Sequence, residues 1–308
     1  MKKLLIAAAC IGAITLAGCS TETDDSTIVF AGGPLSSDVA PFDSYAILFD
    51  LMEQELGYEV QFFEATDRAA IAEGLASGRV DMASIDPYGY VLSASVSDDV
   101  EAIAALARAK DGSPSFTTYA VARADDDSIN GLGDISGRTV CYSDPASTAG
   151  YLYPAKAIAE AGFDPVAETT QDFEPVFTGL FSLQPAISVF NGDCDLGFVP
   201  DGQFDNVLQQ IDGVDKEQLK VVWVSENIFG YALAINTANF DSAELDSITN
   251  LIMEKANKTS FVELGFCESE ADCLFTAPHN WGYKPASDSD YLGVFEACRI
   301  LGVSQCED

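Results

Sequence analysis

Two blocks of the chain alternate short apolar runs of strand length with segments whose apolar residues recur every three or four positions, and few architectures accommodate that alternation. In the first block residues 27–31 read as a buried strand that stops at Gly32-Gly33-Pro34. A helical pattern covers 42–56, with Ala46, Phe49, Leu51, Met52 and Leu56 on its apolar stripe, and ends at Gly57. Residues 59–64 read as a strand, 67–77 as a helix closed by Gly78, and 80–85 as another strand. The second block repeats the scheme with a strand at 138–142, helices at 147–161 and 180–191, and strands at 195–199 and 219–224. A strand at 231–235, a helix at 242–256 and a cysteine-bearing helix at 290–301 follow. Strands separated by helices predict an α/β fold with parallel sheets flanked by helices. A length of 308 residues is enough for two cores. The expected body has two lobes, the chain returning to the first after building the second, with a cleft between them.

Charge narrows the partners. Fifteen Lys and Arg stand against 49 Asp and Glu, a formal net charge of −34. Such a body is repelled by phosphate backbones and has no basic stripe, so nucleic acid is not an expected partner. The acids are scattered, with short clusters at Asp24-Asp25 and Asp125-Asp126-Asp127, which is the pattern of a solvating surface.

At the N-terminus Lys2-Lys3 precede an apolar run that ends in Leu16-Ala17-Gly18-Cys19. The run is too short to span a bilayer and has the layout of a secretory signal. Its end resembles a bacterial lipobox, which implies removal of residues 1–18, lipidation of Cys19 and a polar tether over 19–26. The expected address is the cell envelope, lipid-anchored outside the cytoplasmic membrane or in the periplasm. Once Cys10 is discarded and Cys19 lipidated, six cysteines remain, an even number in an exported chain. Spacing does not settle their pairing. The favoured scheme joins Cys267 to Cys273, Cys298 to Cys306, and Cys141 to Cys194. There is no C-x-x-C, and His279 is the only histidine, so standard zinc spacings are absent.

Enzyme signatures are missing too: there is no G-x-S-x-G, Walker loop or dinucleotide fingerprint. His279 reads as structural, and neither catalysis nor a cofactor is expected. The segment that carries chemistry is Asp144-Pro-Ala-Ser-Thr-Ala-Gly-Tyr-Leu-Tyr-Pro154, which joins a strand to a helix. Such a start presents free backbone N–H groups and the positive end of the helix dipole, and Ser147 and Thr148 are placed to complete an anion site. The plainer alternative is that one of them only caps the helix.

This segment resembles the Asp-Pro-x-Ser-Thr-Ser-Gly-Tyr signature of the periplasmic phosphonate-binding proteins of ABC importers. Other stretches agree in order: Gly57-Tyr-Glu-Val60, Ala65-Thr-Asp67, Ser77-Gly-Arg-Val-Asp-Met-Ala83, Pro87 with Tyr90, Lys110-Asp-Gly-Ser-Pro-Ser115, Leu132-Gly-Asp-Ile-Ser-Gly-Arg-Thr-Val140, Phe177-Thr-Gly179, Asn191-Gly-Asp-Cys-Asp195 and Ser287-Asp-Ser-Asp-Tyr291. The resemblance spans about 28–300 and implies a type II periplasmic-binding-protein fold. It places one lobe at 27–118 plus 226–308 and the other at 119–225. It also implies a small oxyanion ligand, an ABC permease as partner and a monomeric, non-enzymatic carrier.

The departures from that pattern fall where the cleft belongs. The third hydroxyl of the signature is Ala149, the family's Tyr after Thr-Asp is Arg68, and its Gly before Pro is Asp86. Residues 180–185 are more apolar than the family's ligand-contacting segment. Arg68 either grips an oxyanion or neutralises Asp86; an unpaired Asp86 favours an amine-bearing ligand. Tyr88, Tyr90, Phe116, Tyr119, Tyr142, Tyr151 and Phe229 are candidates for the cleft lining, with core packing as the plainer alternative; Tyr88 and Tyr151 lead because they flank the two turns. Alternatives are a ligand sensor for a membrane receptor, or the same importer role with a cofactor precursor or amine-bearing ligand.

Overall fold

The computed structural model describes residues 27–33, 40–166, 169–276 and 280–306. The signal run, Cys19, the tether and His279 lie outside the described residues.

β1 (Thr27–Gly32) leads to α1 (Pro41–Leu56), and α1 stops at Gly57, whose left-handed φ of 77° favours a residue without a Cβ. β2 (Glu59–Phe63), α2 (Arg68–Ala76), β3 (Met82–Ile85), α3 (Pro87–Ala94) and β4 (Val100–Ala107) complete the first pass. The chain crosses through β5 (Ser115–Phe116) into β6 (Thr118–Arg123) and β7 (Thr139–Tyr142). A π-helical turn over Thr148–Leu152 then opens α4 (Tyr153–Glu160), followed by β8 (Glu174–Phe177), α5 (Gln184–Asn191), β9 (Leu196–Pro200) and β10 (Leu219–Val224). It returns through β11 (Ile228–Phe229) to β12 (Ala232–Asn236), α6 (Ser242–Lys255), α7 (Lys258–Glu263), β13 (Gly282–Pro285) and α8 (Leu292–Ile300).

One lobe holds a six-stranded sheet in the order β13-β4-β12-β3-β1-β2, the other a five-stranded sheet in the order β10-β6-β9-β7-β8. Between them β5 and β11 pair as a two-stranded antiparallel ribbon. The expectation of parallel sheets holds only for β2-β1-β3 and for β8-β7-β9. β12 runs antiparallel to β3, and β6 antiparallel to β9. The crossing dictates this. β12 starts at Ala232 opposite Ile85, the last residue of β3, and β6 starts at Thr118 opposite Pro200, the last residue of β9. A strand arriving from the other lobe enters at the C-terminal edge of the parallel strands and must run against them. That edge is also where open α/β sheets place their ligands.

Each sheet is apolar on both faces. In the first lobe Ile28, Phe30, Leu48, Met52 and Ile252 fill one face, and Ile71, Leu75, Ile85, Tyr90 and Val91 the other. In the second, Val140, Ile158 and Phe198 oppose Val121, Leu183 and Val199. Full burial of such a side chain contributes roughly 1.5–3 kcal/mol. Three disulfides join Cys141 to Cys194, Cys267 to Cys273 and Cys298 to Cys306, with Cα separations of 6.0, 5.4 and 5.9 Å. The pairing favoured from the sequence is the one present. Among the described residues no helix is long and apolar enough to cross a membrane.

Candidate functional site

Two strand-to-helix turns face each other across the cleft. On the first lobe, β3 runs into Asp86-Pro87. A proline at the first helical position has no N–H to leave unsatisfied, and it pushes the residue before it into extended backbone. Asp86 therefore sits at φ −67°, ψ 159° as the N-cap of α3, its Oδ1 accepting the Gly89 N–H at 2.8 Å. On the second lobe, β7 runs into Ser143 and an Asx turn in which Asp144 accepts the Ala146 N–H at 2.8 Å. Ser147 is the N-cap there, its Oγ accepting the Gly150 N–H at 3.0 Å. Gly150 leaves room for the Ser143 side chain, because a Cβ at that position would lie 1.8 Å from Ser143 Oγ.

The turns exchange caps. The Tyr88 N–H donates to Thr148 Oγ1 at 2.8 Å, and the Thr148 N–H donates to Asp86 Oδ2 at 3.2 Å. Thr148, Asp86 and Arg68 are buried, at 1, 2 and 7% exposure. Arg68 Nη1 reaches the same Asp86 Oδ2 at 3.2 Å and the Tyr231 hydroxyl at 3.4 Å. Arg68 and Asp86 thus form a buried ion pair. Burial pushes the Asp86 carboxyl above its ordinary range, against the pull of Arg68 and of the Gly89 and Thr148 N–H groups. Burial, with Tyr151 and Asp86 nearby, raises the Tyr88 phenol to about 12.

A cavity opens where the turns meet. Asp86, Ser147, Thr148 and Ala149 line it together. Of the first amides of the second-lobe helix, that of Thr148 goes to Asp86 and that of Gly150 to Ser147. The Ala149 N–H has no hydrogen-bond partner among the described residues. Arg68 does not line this cavity. It stands behind Asp86 and borders a second one with Gly32, Phe42, Phe62 and Leu180. Tyr88 is buried in α3 and contributes its amide rather than its ring. Tyr151 packs edge-on against Tyr142 at 5.2 Å, within the second lobe's aromatic cluster. Neither tyrosine is on the lining.

Several lining residues were not singled out from the sequence. Tyr231 and Asn280 come from the first lobe, Ser115 from the crossing ribbon, and Phe181, Ser182 and Gln203 from the second, whereas Phe116 of the ribbon, one of the aromatics named from the sequence, is also on the lining. Ser115 and Phe181-Ser182 fall in segments marked by the family pattern, which was their only signal. Arg108 also lines the cavity, and its Nη2 binds Asp201 Oδ1 across the cleft at 2.7 Å. Among the described residues no group of three His, Cys, Asp or Glu side chains is placed to hold a metal.

Comparison with known proteins gives a consistent picture. Residues 34–291 match the family described as "ABC transporter, phosphonate, periplasmic substrate-binding protein". The chain is 34% identical over 306 residues to the phosphate-import protein PhnD of Mycolicibacterium smegmatis, covering 98% of this chain and 94% of the relative. Among solved structures it resembles PhnD1 of Prochlorococcus marinus in complex with methylphosphonate, with a TM-score of 0.71, 15% identity and coverage of 91 and 99%. It also resembles a binding protein component of an ABC phosphonate transporter from Pseudomonas aeruginosa, with a TM-score of 0.70, 22% identity and coverage of 92 and 87%. The two structural likenesses establish the two-lobed periplasmic-binding-protein fold.

Proposed function

We infer the ligand from one premise: the chain belongs to the family of periplasmic substrate-binding proteins of phosphonate ABC transporters. It is thus an extracytoplasmic substrate-binding component of an ABC importer. The ligand we propose is a small phosphorus oxyanion, phosphate or a phosphonate, gripped between the lobes and handed to the permease. The observation that carries this is the Ser147–Ala149 turn on the cavity wall. There a hydroxyl, an unpartnered amide and a helix N-terminus converge opposite the other lobe.

The energetics are adequate. Micromolar affinity needs about 8 kcal/mol. Hydrogen bonds to a charged oxyanion contribute about 1.5–3 kcal/mol each, and the helix terminus about 0.3–1 kcal/mol more. These short-range donors must act against the field of a strongly acidic body. One relative is a phosphate-import protein and a structural neighbour is in complex with methylphosphonate, which supports the same class. Arg68 already pairs with Asp86, so an amine on the ligand would compete with a cation in place.

The remaining parts of the reading are that residues 1–18 are removed, that Cys19 carries lipid, and that 19–26 tether a monomer. The lobes divide at 27–118 plus 226–308 and 119–225, in keeping with sheet membership, and closure about the β5–β11 ribbon signals the permease without catalysis. Isothermal titration of the mature chain with phosphate, methylphosphonate and 2-aminoethylphosphonate tests the ligand class. One site of micromolar or tighter affinity is expected for at least one of them. Absence of heat and of thermal stabilisation with all three at millimolar concentration defeats the reading.

A further inference from the structure

We propose that the bound state holds one proton between Asp86 and the oxyanion, so that the site selects anions able to bring that proton. The inference rests on the ligand reading above and assigns Asp86 a specificity role within it.

The geometry is a competition for one donor. Asp86 Oδ2 already accepts the Thr148 N–H at 3.2 Å, and Asp86 lines the same cavity as Ser147 and Ala149. A ligand oxygen that takes the Ser147 hydroxyl and the Ala149 amide shares a wall with Asp86. A carboxylate and an oxyanion on one wall repel, and Arg68 offsets the charge only from behind that wall. The surroundings do not remove the conflict. From α2 comes a single cation, Arg68, which Asp86 already occupies. The Tyr231 hydroxyl faces Arg68 rather than the carboxylate, and from the second lobe Asp144 adds a like charge. From α3 itself only the Gly89 N–H and the Tyr88 ring are near, and the Gly89 N–H is taken by Oδ1. The other cation on the wall, Arg108, is held by Asp201. A proton shared between ligand oxygen and Oδ2 converts the repulsion into a hydrogen bond, and burial, which makes the Asp86 carboxyl harder to ionise, favours it.

Phosphate and phosphonate monoanions carry a P–OH that donates this proton. Sulfate and sulfonates of the same shape have none near neutral pH and must take one from solution. The test is titration calorimetry of the wild-type protein with phosphate, methylphosphonate, sulfate and methanesulfonate, in buffers of differing ionisation heat. At about pH 7 the phosphorus anions are expected to bind at least about 100-fold more tightly than their sulfur isosteres. Their affinity should fall as pH rises past the second ionisation, by up to about tenfold per unit, with uptake of one proton. Asp86→Asn should abolish the proton uptake and bring phosphate and sulfate within about tenfold of each other. Equal wild-type binding of phosphate and sulfate without proton uptake overturns the proposal and leaves the oxyanion site standing. No binding by any of the four anions overturns the site itself and this inference with it. The proton count needs only the wild-type protein, so a misfolded variant does not shield the proposal.

Discussion

The two turns that meet in the cleft are built on one plan and differ in charge. Each follows a parallel strand, each caps its own helix at the third amide, and each lends an amide to the other lobe. On the first lobe the cap is a carboxylate, Asp86; on the second it is a hydroxyl, Ser147. A carboxylate cap satisfies its helix with a full negative charge and needs Arg68 behind it. A hydroxyl cap satisfies the same amide yet keeps a proton to donate. The first turn is therefore a completed unit that an anion must accommodate, and the second is an unfinished one that an anion completes. Helix N-termini alone do not make the difference, since both lobes present one.

The largest effect expected from breaking this contrast is Arg68→Ala. It leaves Asp86 buried without its cation, and loss of one partner of a buried pair costs about 3–5 kcal/mol. Urea unfolding should show it, and Arg68→Met with Asp86→Asn should recover most of it. The sign with pH follows from the raised carboxyl. The folded state binds the Asp86 proton more tightly than the unfolded chain does. Stability tied to that proton is complete below the ordinary carboxylate range and is lost as pH climbs through the folded-state value. The deficit of Arg68→Ala should thus shrink on acidification. A deficit under about 1 kcal/mol, flat with pH, would mean that the Gly89 and Thr148 amides suffice for Asp86.

Next in size is Gly150→Ala. Its Cβ would meet Ser143 Oγ at 1.8 Å and Ser143 Cβ at 2.9 Å, an overpacking expected to cost about 1–3 kcal/mol and to displace the Ser147 cap. Ser143 Oγ is buried without a partner, so Ser143→Gly added to Gly150→Ala should restore stability. Failure of that rescue would place the strain elsewhere. Smaller again is Ser147→Ala, expected to weaken phosphate or phosphonate binding by at least about tenfold while costing about 1 kcal/mol of stability. Unchanged affinity would remove the hydroxyl from the site and leave it a cap alone.

The same contrast explains what the sequence revealed. The second turn was legible because a hydroxyl pair at a strand-to-helix junction is a local signal, and the disulfides because an even count with two short separations, of 6 and 8 residues, favours local pairs and leaves Cys141 to Cys194. The first turn was legible only through the family pattern, which marked Asp86, Pro87 and Tyr90, and the helix behind it was not legible. Pro87, Tyr88, Gly89, Tyr90 and Val91 are all buried, so α3 lacks a polar face and shows no helical period. β4 was missed for a related reason: Val100–Ala107 is an alanine-rich run that fits strand or buried helix equally. The helix expected from 147 opens instead with a π turn. Pro154 has no N–H for the Gly150 carbonyl, which accepts the Ser143 N–H at 3.3 Å instead. The helix expected from 180 starts only at Gln184, and Phe181 and Ser182 serve the cavity wall. The partner of Arg68 lies 18 residues away in sequence and meets it only through the folded sheet, which is why local spacing left its role open.

The smallest expected effect concerns the second ionic link between the lobes. Arg108 and Asp201 meet at 2.7 Å on the cavity wall, but their side chains keep 34 and 18% exposure, against 8 and 2% for Arg68 and Asp86. Water and salt screen the outer pair, so Arg108→Ala should cost only about 0–1 kcal/mol of stability, and added salt should erase the difference. Its consequence belongs to the cleft rather than to the fold. Without Arg108 one tie across the mouth is gone, and the bound anion should dissociate faster, with the association rate little changed. Stopped-flow measurement of both rates, at low and high salt, separates the two pairs: the Asp86 clasp acts on stability in any salt, the Arg108 link on release in low salt only. A loss above about 2 kcal/mol for Arg108→Ala at high salt would place the outer pair in the same class as the inner one.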